Sequence, residues 1–207
     1  NDIITGLDGA NRIDGGDGND IINGGLANDT LLGGDGNDDI SAGSGDDSVL
    51  AGDGQDTIDG SIGSDTVDAG DGNDRVIGDT PGFLGGGNDS LLGGQGNDTI
   101  MGLTGDDFVD GMGGNDVVSG DDGNDTVFGG GGTDSLTGGN GNDIIRGHSG
   151  NDTMSGDSGN DLLDAGDGDD VVLGDDQFST FAGADTIQGG LGNDSLSGGR
   201  GSDTIFG

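Results

Sequence analysis

The sequence contains no cysteine, tryptophan, tyrosine, lysine or glutamate, and only one proline, Pro81. Without cysteine there are no disulfides and no thiolate metal sites, and the redox compartment stays open. One proline and no three-residue glycine period exclude a collagen-like chain. No apolar run approaches the ~20 residues that a membrane-crossing helix needs. Positive charge is limited to Arg12, Arg75, Arg146 and Arg200, scattered without a patch. That scarcity argues against binding nucleic acid, whose phosphates the chain would repel, and against anionic lipid. Apolar residues are 27% of the chain, against the usual ~45–50%.

The 207 residues, a length that predicts one domain, include 55 glycines and 42 acidic residues, all of them Asp, for a net charge of -38. A chain so acidic and so poor in apolar residues is ordinarily disordered. Here, however, the glycines and aspartates recur in register, and a fixed period takes precedence over composition. Residues 15–23 read GGDGNDIIN and residues 93–101 read GGQGNDTIM. Written as G-G-x-G-x-D-x-U-x, with U apolar, the word runs without a gap over 6–77, 93–173 and 189–206. The bridging segments 78–92 and 174–188 are each one word carrying six extra residues, so twenty-one words fill 6–206. Position 8 is apolar in every word, from Ile13 to Ile205; position 6 is Asp in every word but the first, which has Asn11; position 4 is Gly except at Ala27. Asn1–Thr5 is the tail of a further word and Gly207 opens another, which predicts a fragment of a longer array.

Positions 7–9, as in DTI, DTV and DVV, favour strand, and Gly at position 4 favours a turn with positive φ. Each word therefore predicts a three-residue strand and a six-residue turn, with one side chain facing inward. No single word can bury that side chain, so words must stack. Two words make a coil, and coils pile up at ~4.8 Å into two parallel sheets and a rod about 50 Å long. Such a stack lacks the apolar burial to offset the ordering of its backbone. It also brings the position-6 carboxylates of successive coils together as a like-charge ladder. A divalent cation between coils removes both problems. Carboxylates and turn carbonyls are an all-oxygen set that suits Ca²⁺. Zn²⁺ lacks its ligands, with His148 the sole histidine, and carbonyl-rich turns do not enforce the small octahedron of Mg²⁺. Twenty-one words allow at most about nineteen such inter-coil sites.

The words GGDGNDIIN, GGDGNDDIS, GGQGNDTIM and GGNGNDIIR resemble the RTX (repeats-in-toxin, hemolysin-type calcium-binding) nonapeptide GGxGxDxUx. The resemblance covers nearly the whole chain. It implies an all-β parallel β-roll, two words per coil, with Ca²⁺ along both turn edges. Carried over by position, the metal ligands are Asp20, Asp29, Asp38, Asp47, Asp56, Asp65, Asp74, Asp89, Asp98, Asp107, Asp116, Asp125, Asp134, Asp143, Asp152, Asp161, Asp170, Asp185, Asp194 and Asp203. Asn11 and Ala27 depart from the pattern, and the second insertion reaches its aspartate through FAGAD. The resemblance also implies type I secretion from Gram-negative bacteria, with folding outside the cell. The chain is then a calcium-folded, non-enzymatic spacer of an extracellular or cell-surface protein, or the folding module appended to a secreted protease, lipase, alginate epimerase or cytolysin.

Other readings fit the residues less well. An EF-hand needs Glu at the twelfth loop position and flanking helices. Ice-binding solenoids of the family carry a row of Thr at position 3, where this chain has Thr only at Thr104. An adhesin solenoid remains a further alternative. Asp106 beside Asp107 could mimic a glycosidase pair, but the register makes Asp107 a metal ligand, and His148 sits at a surface turn position. Phe108, Phe128 and Phe206 at outward positions of odd words, with Phe83, Phe178 and Phe181 in the insertions, predict a lateral docking strip on one side of the roll.

Overall fold

The computed structural model describes residues 1–82, 86–175 and 183–207. The regular elements among them are twenty-two strands, from β1 (Ile3–Asp8) to β22 (Thr204–Phe206), with no helix. Odd-numbered strands form one eleven-stranded sheet and even-numbered strands form the other. Every pairing is parallel, and partners lie eighteen residues apart, as in Ile22↔Ile40 and Ile40↔Ile58. The chain is thus a two-sheet β-solenoid of eleven coils. Across the two insertions, partners are twenty-four residues apart, as in Val67↔Leu91 and Leu163↔Ile187, and the sheets continue in register.

The strands differ from the expectation in length. Most have six residues, not three; β4 (Thr30–Asp35), for example, covers positions 7–9 of one word and 1–3 of the next. Exposure alternates along it, so that Leu31 at position 8 and Gly33 at position 1 both face inward. Two inward positions per strand therefore replace the single one expected. The second is legible only in the fold, because Gly-Gly-Asp has no strand propensity of its own and is held extended by the coils on either side. It must be small. A Cβ on Gly33 would lie 2.3 Å from the Asp38 carboxylate and 2.5 Å from the Ala51 carbonyl. Alanine is the largest residue at this position, and Ala42, Ala51, Ala69 and Ala165 are fully buried.

The core is a single file of position-8 side chains contributed alternately by the two sheets, from Ile13 through Ile187. Ile205, on the last strand, is 45% exposed. In most words two positions, not one, have positive φ: position 4, as at Gly36 (φ 130°), and position 2, as at Gly34 (φ 116°). Non-glycine residues also occupy these conformations, including Ala27 (φ 72°) at position 4 and Leu103 (φ 79°) and His148 (φ 73°) at position 2. Position 4 needs glycine for a second reason. A Cβ on Gly96 would lie 1.3 Å from the Gly72 carbonyl oxygen of the preceding coil.

Candidate metal centre

The turns at positions 4–6 are tied from coil to coil, like the strands. The position-4 N–H donates to the position-3 carbonyl of the next coil, as in Gly45 to Ile62 (2.9 Å) and Gly123 to Asn140 (2.9 Å). The position-7 N–H donates to the position-6 carbonyl of the preceding coil, as in Thr66 to Asp47 (2.9 Å). This ladder holds each position-6 aspartate at the inner lip of its turn.

There the two carboxylate oxygens have different environments. Oδ1 accepts from the backbone N–H of the position-6 residue one coil earlier: Asp20 N–H to Asp38 (2.8 Å), Asp74 to Asp98 (2.8 Å), Asp125 to Asp143 (2.8 Å). The same bond spans the insertions, from Asp65 to Asp89 (2.8 Å) and from Asp161 to Asp185 (3.0 Å). Oδ2 faces inward. Among the described residues, eighteen of these Oδ2 atoms, from Asp20 to Asp185, are buried with no hydrogen-bond partner. At several of them a carbonyl of the next coil lies close to the same spot. An ideal Cβ on Gly15 would lie 2.6 Å from the Gly33 carbonyl and 2.7 Å from Asp20 Oδ2.

Buried polar atoms are almost always satisfied in folded proteins, so a repeating row of orphaned carboxylate oxygens calls for a ligand. The electrostatics agree. Burial pushes Asp65 up to about 8, Asp107, Asp116 and Asp143 to about 7, and Asp56, Asp89 and Asp125 to about 6. The hydrogen bond to Oδ1 opposes that rise and the neighbouring aspartates reinforce it. Protein atoms alone thus resist full ionisation of the ladder at neutral pH. Among the described residues no three acidic or histidine side chains gather in one cluster. The carboxylates are distributed along the turns, and the remaining donors must be backbone carbonyls. Such a donor set fits a hard cation such as Ca²⁺.

The family model for the RTX calcium-binding nonapeptide repeat, four copies per match, fits successive stretches from 1–31 to 179–207, most of them overlapping. The chain belongs to the RTX calcium-binding nonapeptide-repeat family. It is a β-roll module, and calcium is its ligand. No curated protein matches the chain.

The RTX roll places the candidate aspartates in two rows, odd words along one edge and even words along the other. All are buried except Asp194 and Asp203 in the closing coils. Asn11, where the pattern breaks, also joins the ladder. Its backbone N–H donates to Asp29 Oδ1 (2.7 Å). The sequence reading missed a second ladder at position 5. There the side chain reaches forward, as Asn124 Oδ1 accepts from the Asn142 N–H (3.0 Å) and Asn142 Oδ1 from the Asn160 N–H (3.0 Å). Its signal was the recurrent Asn-Asp dipeptide. His148 lies outside the turns' carboxylate rows, edge-to-face with Phe128 at 5.4 Å. Phe128 also meets Phe108 at 5.4 Å and lies 5.4 Å under the Arg146 guanidinium. Phe108, Phe128 and Phe206 share the even-numbered sheet, on β12 (Phe108–Gly113), β14 (Thr126–Gly131) and β22. Phe83, Phe178 and Phe181 lie outside the described residues.

Proposed function

We propose that the position-6 aspartates from Asp20 to Asp203 are the calcium ligands, each joined by turn carbonyls of adjacent coils, and that calcium triggers folding of the roll. The observation that supports this most strongly is the row of buried, unpartnered Oδ2 atoms. Folding then converts a strongly acidic, extended chain into a rigid rod in a calcium-rich compartment. On this reading the chain is a non-enzymatic spacer or folding segment of a secreted or cell-surface protein, and residues 1–207 behave as one unit with the two insertions as surface excursions. Counting bound calcium by equilibrium dialysis tests the ligand assignment. Binding is expected to be multiple, to reach no more than about nineteen ions per chain, and to lie near the ~10⁻⁴–10⁻³ M range of extracellular calcium modules. Stoichiometry of one or two ions, or binding unchanged when several position-6 aspartates are replaced by Ala, contradicts it.

A lateral protein contact on the even-numbered sheet is the second part of the proposal. It is supported by the Phe108–Phe128 pair beside Ile144 and Leu162, which are 38% and 42% exposed. Replacing both phenylalanines with Ser is expected to leave calcium-induced strand content intact and to weaken self-association or docking of an adjoining domain. Identical sedimentation and binding of the two proteins would remove this part alone.

A further inference from the structure

The two insertion words contain a buried carboxylate that the calcium ladder does not use. Asp79 and Asp175 stand at position 2, ninety-six residues apart, and are 1% and 2% exposed. Asp121 and Asp157 occupy the same position in regular words, but with φ of 74° and 68°, and both are only half-buried. Asp79 and Asp175 do not adopt positive φ, and their side chains turn in.

Both carboxylates bind the same two places. Asp79 Oδ1 accepts from the Gly87 N–H (3.3 Å), and its Oδ2 accepts from the N–H and hydroxyl of Thr104 (3.2 and 2.8 Å). Asp175 Oδ1 accepts from the Gly183 N–H (3.2 Å), and its Oδ2 from the Arg200 N–H (3.1 Å). Gly87 and Gly183 are the position-4 residues at which the chain re-enters the calcium turn after the insertion. Thr104 and Arg200 are the position-3 residues of the next coil. In regular words a position-4 N–H donates directly to the next coil's position-3 carbonyl, as in Gly105 to Asp122 (2.9 Å). At both insertions one carboxylate stands between these two places and serves the amides on each side.

We propose that Asp79 and Asp175 are positioning residues that let a fifteen-residue word keep a nine-residue calcium turn. Each fixes the exit of its insertion to the stack, so that Gly87-Asn88-Asp89 and Gly183-Ala184-Asp185 resume the ladder in register. The inference rests on the calcium-folded reading above. It also gives a chemical reason why the excursions begin after an aspartate at position 2: the carboxylate supplies acceptors that the displaced backbone no longer offers.

Deletion separates positioning from general stability. Removing residues 80–85 leaves Gly-Asp-Gly-Gly-Asn-Asp-Ser-Leu-Leu, a regular word with Asp at position 2. In the calcium-loaded full chain, Asp79→Ala is expected to raise amide hydrogen exchange at Gly87 and Thr104 at least about ten-fold, with the Thr126 amide unchanged. Asp79→Asn, which keeps one acceptor oxygen, should restore protection at one of the two amides. In the deletion background, Asp79→Ala should change neither. Should the deleted chain not fold, Asp175→Ala provides the same comparison through the Gly183 and Arg200 amides, with Gly87 and Thr104 as unaffected controls. Equal exchange in wild type and Asp79→Ala, or equal effects of Asp79→Ala in both backgrounds, overturns the proposal. A wild-type chain that gains no protected amides in calcium overturns the calcium-folded reading instead.

Discussion

At the scale of the residue, each invariant position of the word has a separate physical cause. Position 8 is apolar because it is the core, position 1 is small because a carbonyl and a carboxylate crowd its Cβ, and position 4 is glycine for conformation and close approach together. The last pair of causes is separable. Gly96→Ala would place a Cβ 1.3 Å from the Gly72 carbonyl and force the backbones apart, whereas at Gly9 (φ 92°) nothing lies within 4 Å. In calcium, Gly9→Ala should cost only the left-handed strain of about 1–2 kcal/mol, and Gly96→Ala should cost clearly more by urea denaturation. Similar losses would contradict the coil-to-coil contact. Asp98→Ala removes both a candidate ligand and the acceptor for the Asp74 N–H (2.8 Å). It should lower calcium-loaded stability by at least ~1–3 kcal/mol, while Thr126→Ala on the outer face should change it by a few tenths of a kcal/mol (about ±0.5). Equal effects of the two on calcium-induced folding would contradict the register. The candidate ligand positions were legible in the sequence, because position 6 repeats. The division of labour between Oδ1 and Oδ2 was not, because it depends on where the previous coil's N–H lies.

At the scale of the element, the sequence showed the period, the pairing and the metal, but gave half the strand. Thr-Leu-Leu at Thr30–Leu32 reads as strand from its side chains; Gly33–Asp35 does not, and is extended because Gly16 and Gly52 pair with Gly34 on either side. The insertions were legible as insertions, since position 8 resumes at Leu91 and Ile187. Their buried aspartates were not, because an aspartate at position 2 looks the same at Asp79 as at Asp121. The ladder of carboxylates also makes the fold of the metal-free chain depend on pH in a defined direction. Burial raises the folded-state values of Asp65, Asp107, Asp116 and Asp143 to about 7–8, above the ordinary 3.8. Between those limits the folded, metal-free form binds more protons than the unfolded form, so its stability rises as pH falls from about 8 toward 4. Calcium-free protein should therefore gain strand signal in circular dichroism on acidification, and apparent calcium affinity should fall over the same range because protons compete for Oδ2. A metal-free chain that gains no strand signal between pH 8 and 4, or calcium affinity that rises on acidification, would contradict the buried carboxylate row.

At the scale of the whole molecule, eleven coils at ~4.8 Å make a rod about 50 Å long, built from a chain with 42 aspartates and a net charge of -38. The uncharged positions cannot supply the driving force: the core is one side chain wide, and the outer faces are largely Ser, Thr, Asp and Asn. Scattering should accordingly show a large contraction on loading, from a radius of gyration near ~50 Å for an unfolded chain of this length to roughly 20 Å. The central claim is that this solenoid forms around calcium and not before it. Far-UV circular dichroism at neutral pH, recorded first on chelator-treated protein and then through a calcium titration into the millimolar range, addresses it directly. The account predicts a coil spectrum without metal and a cooperative rise of strand signal as calcium is added. A strand-rich spectrum that persists in excess chelator at neutral pH would contradict it.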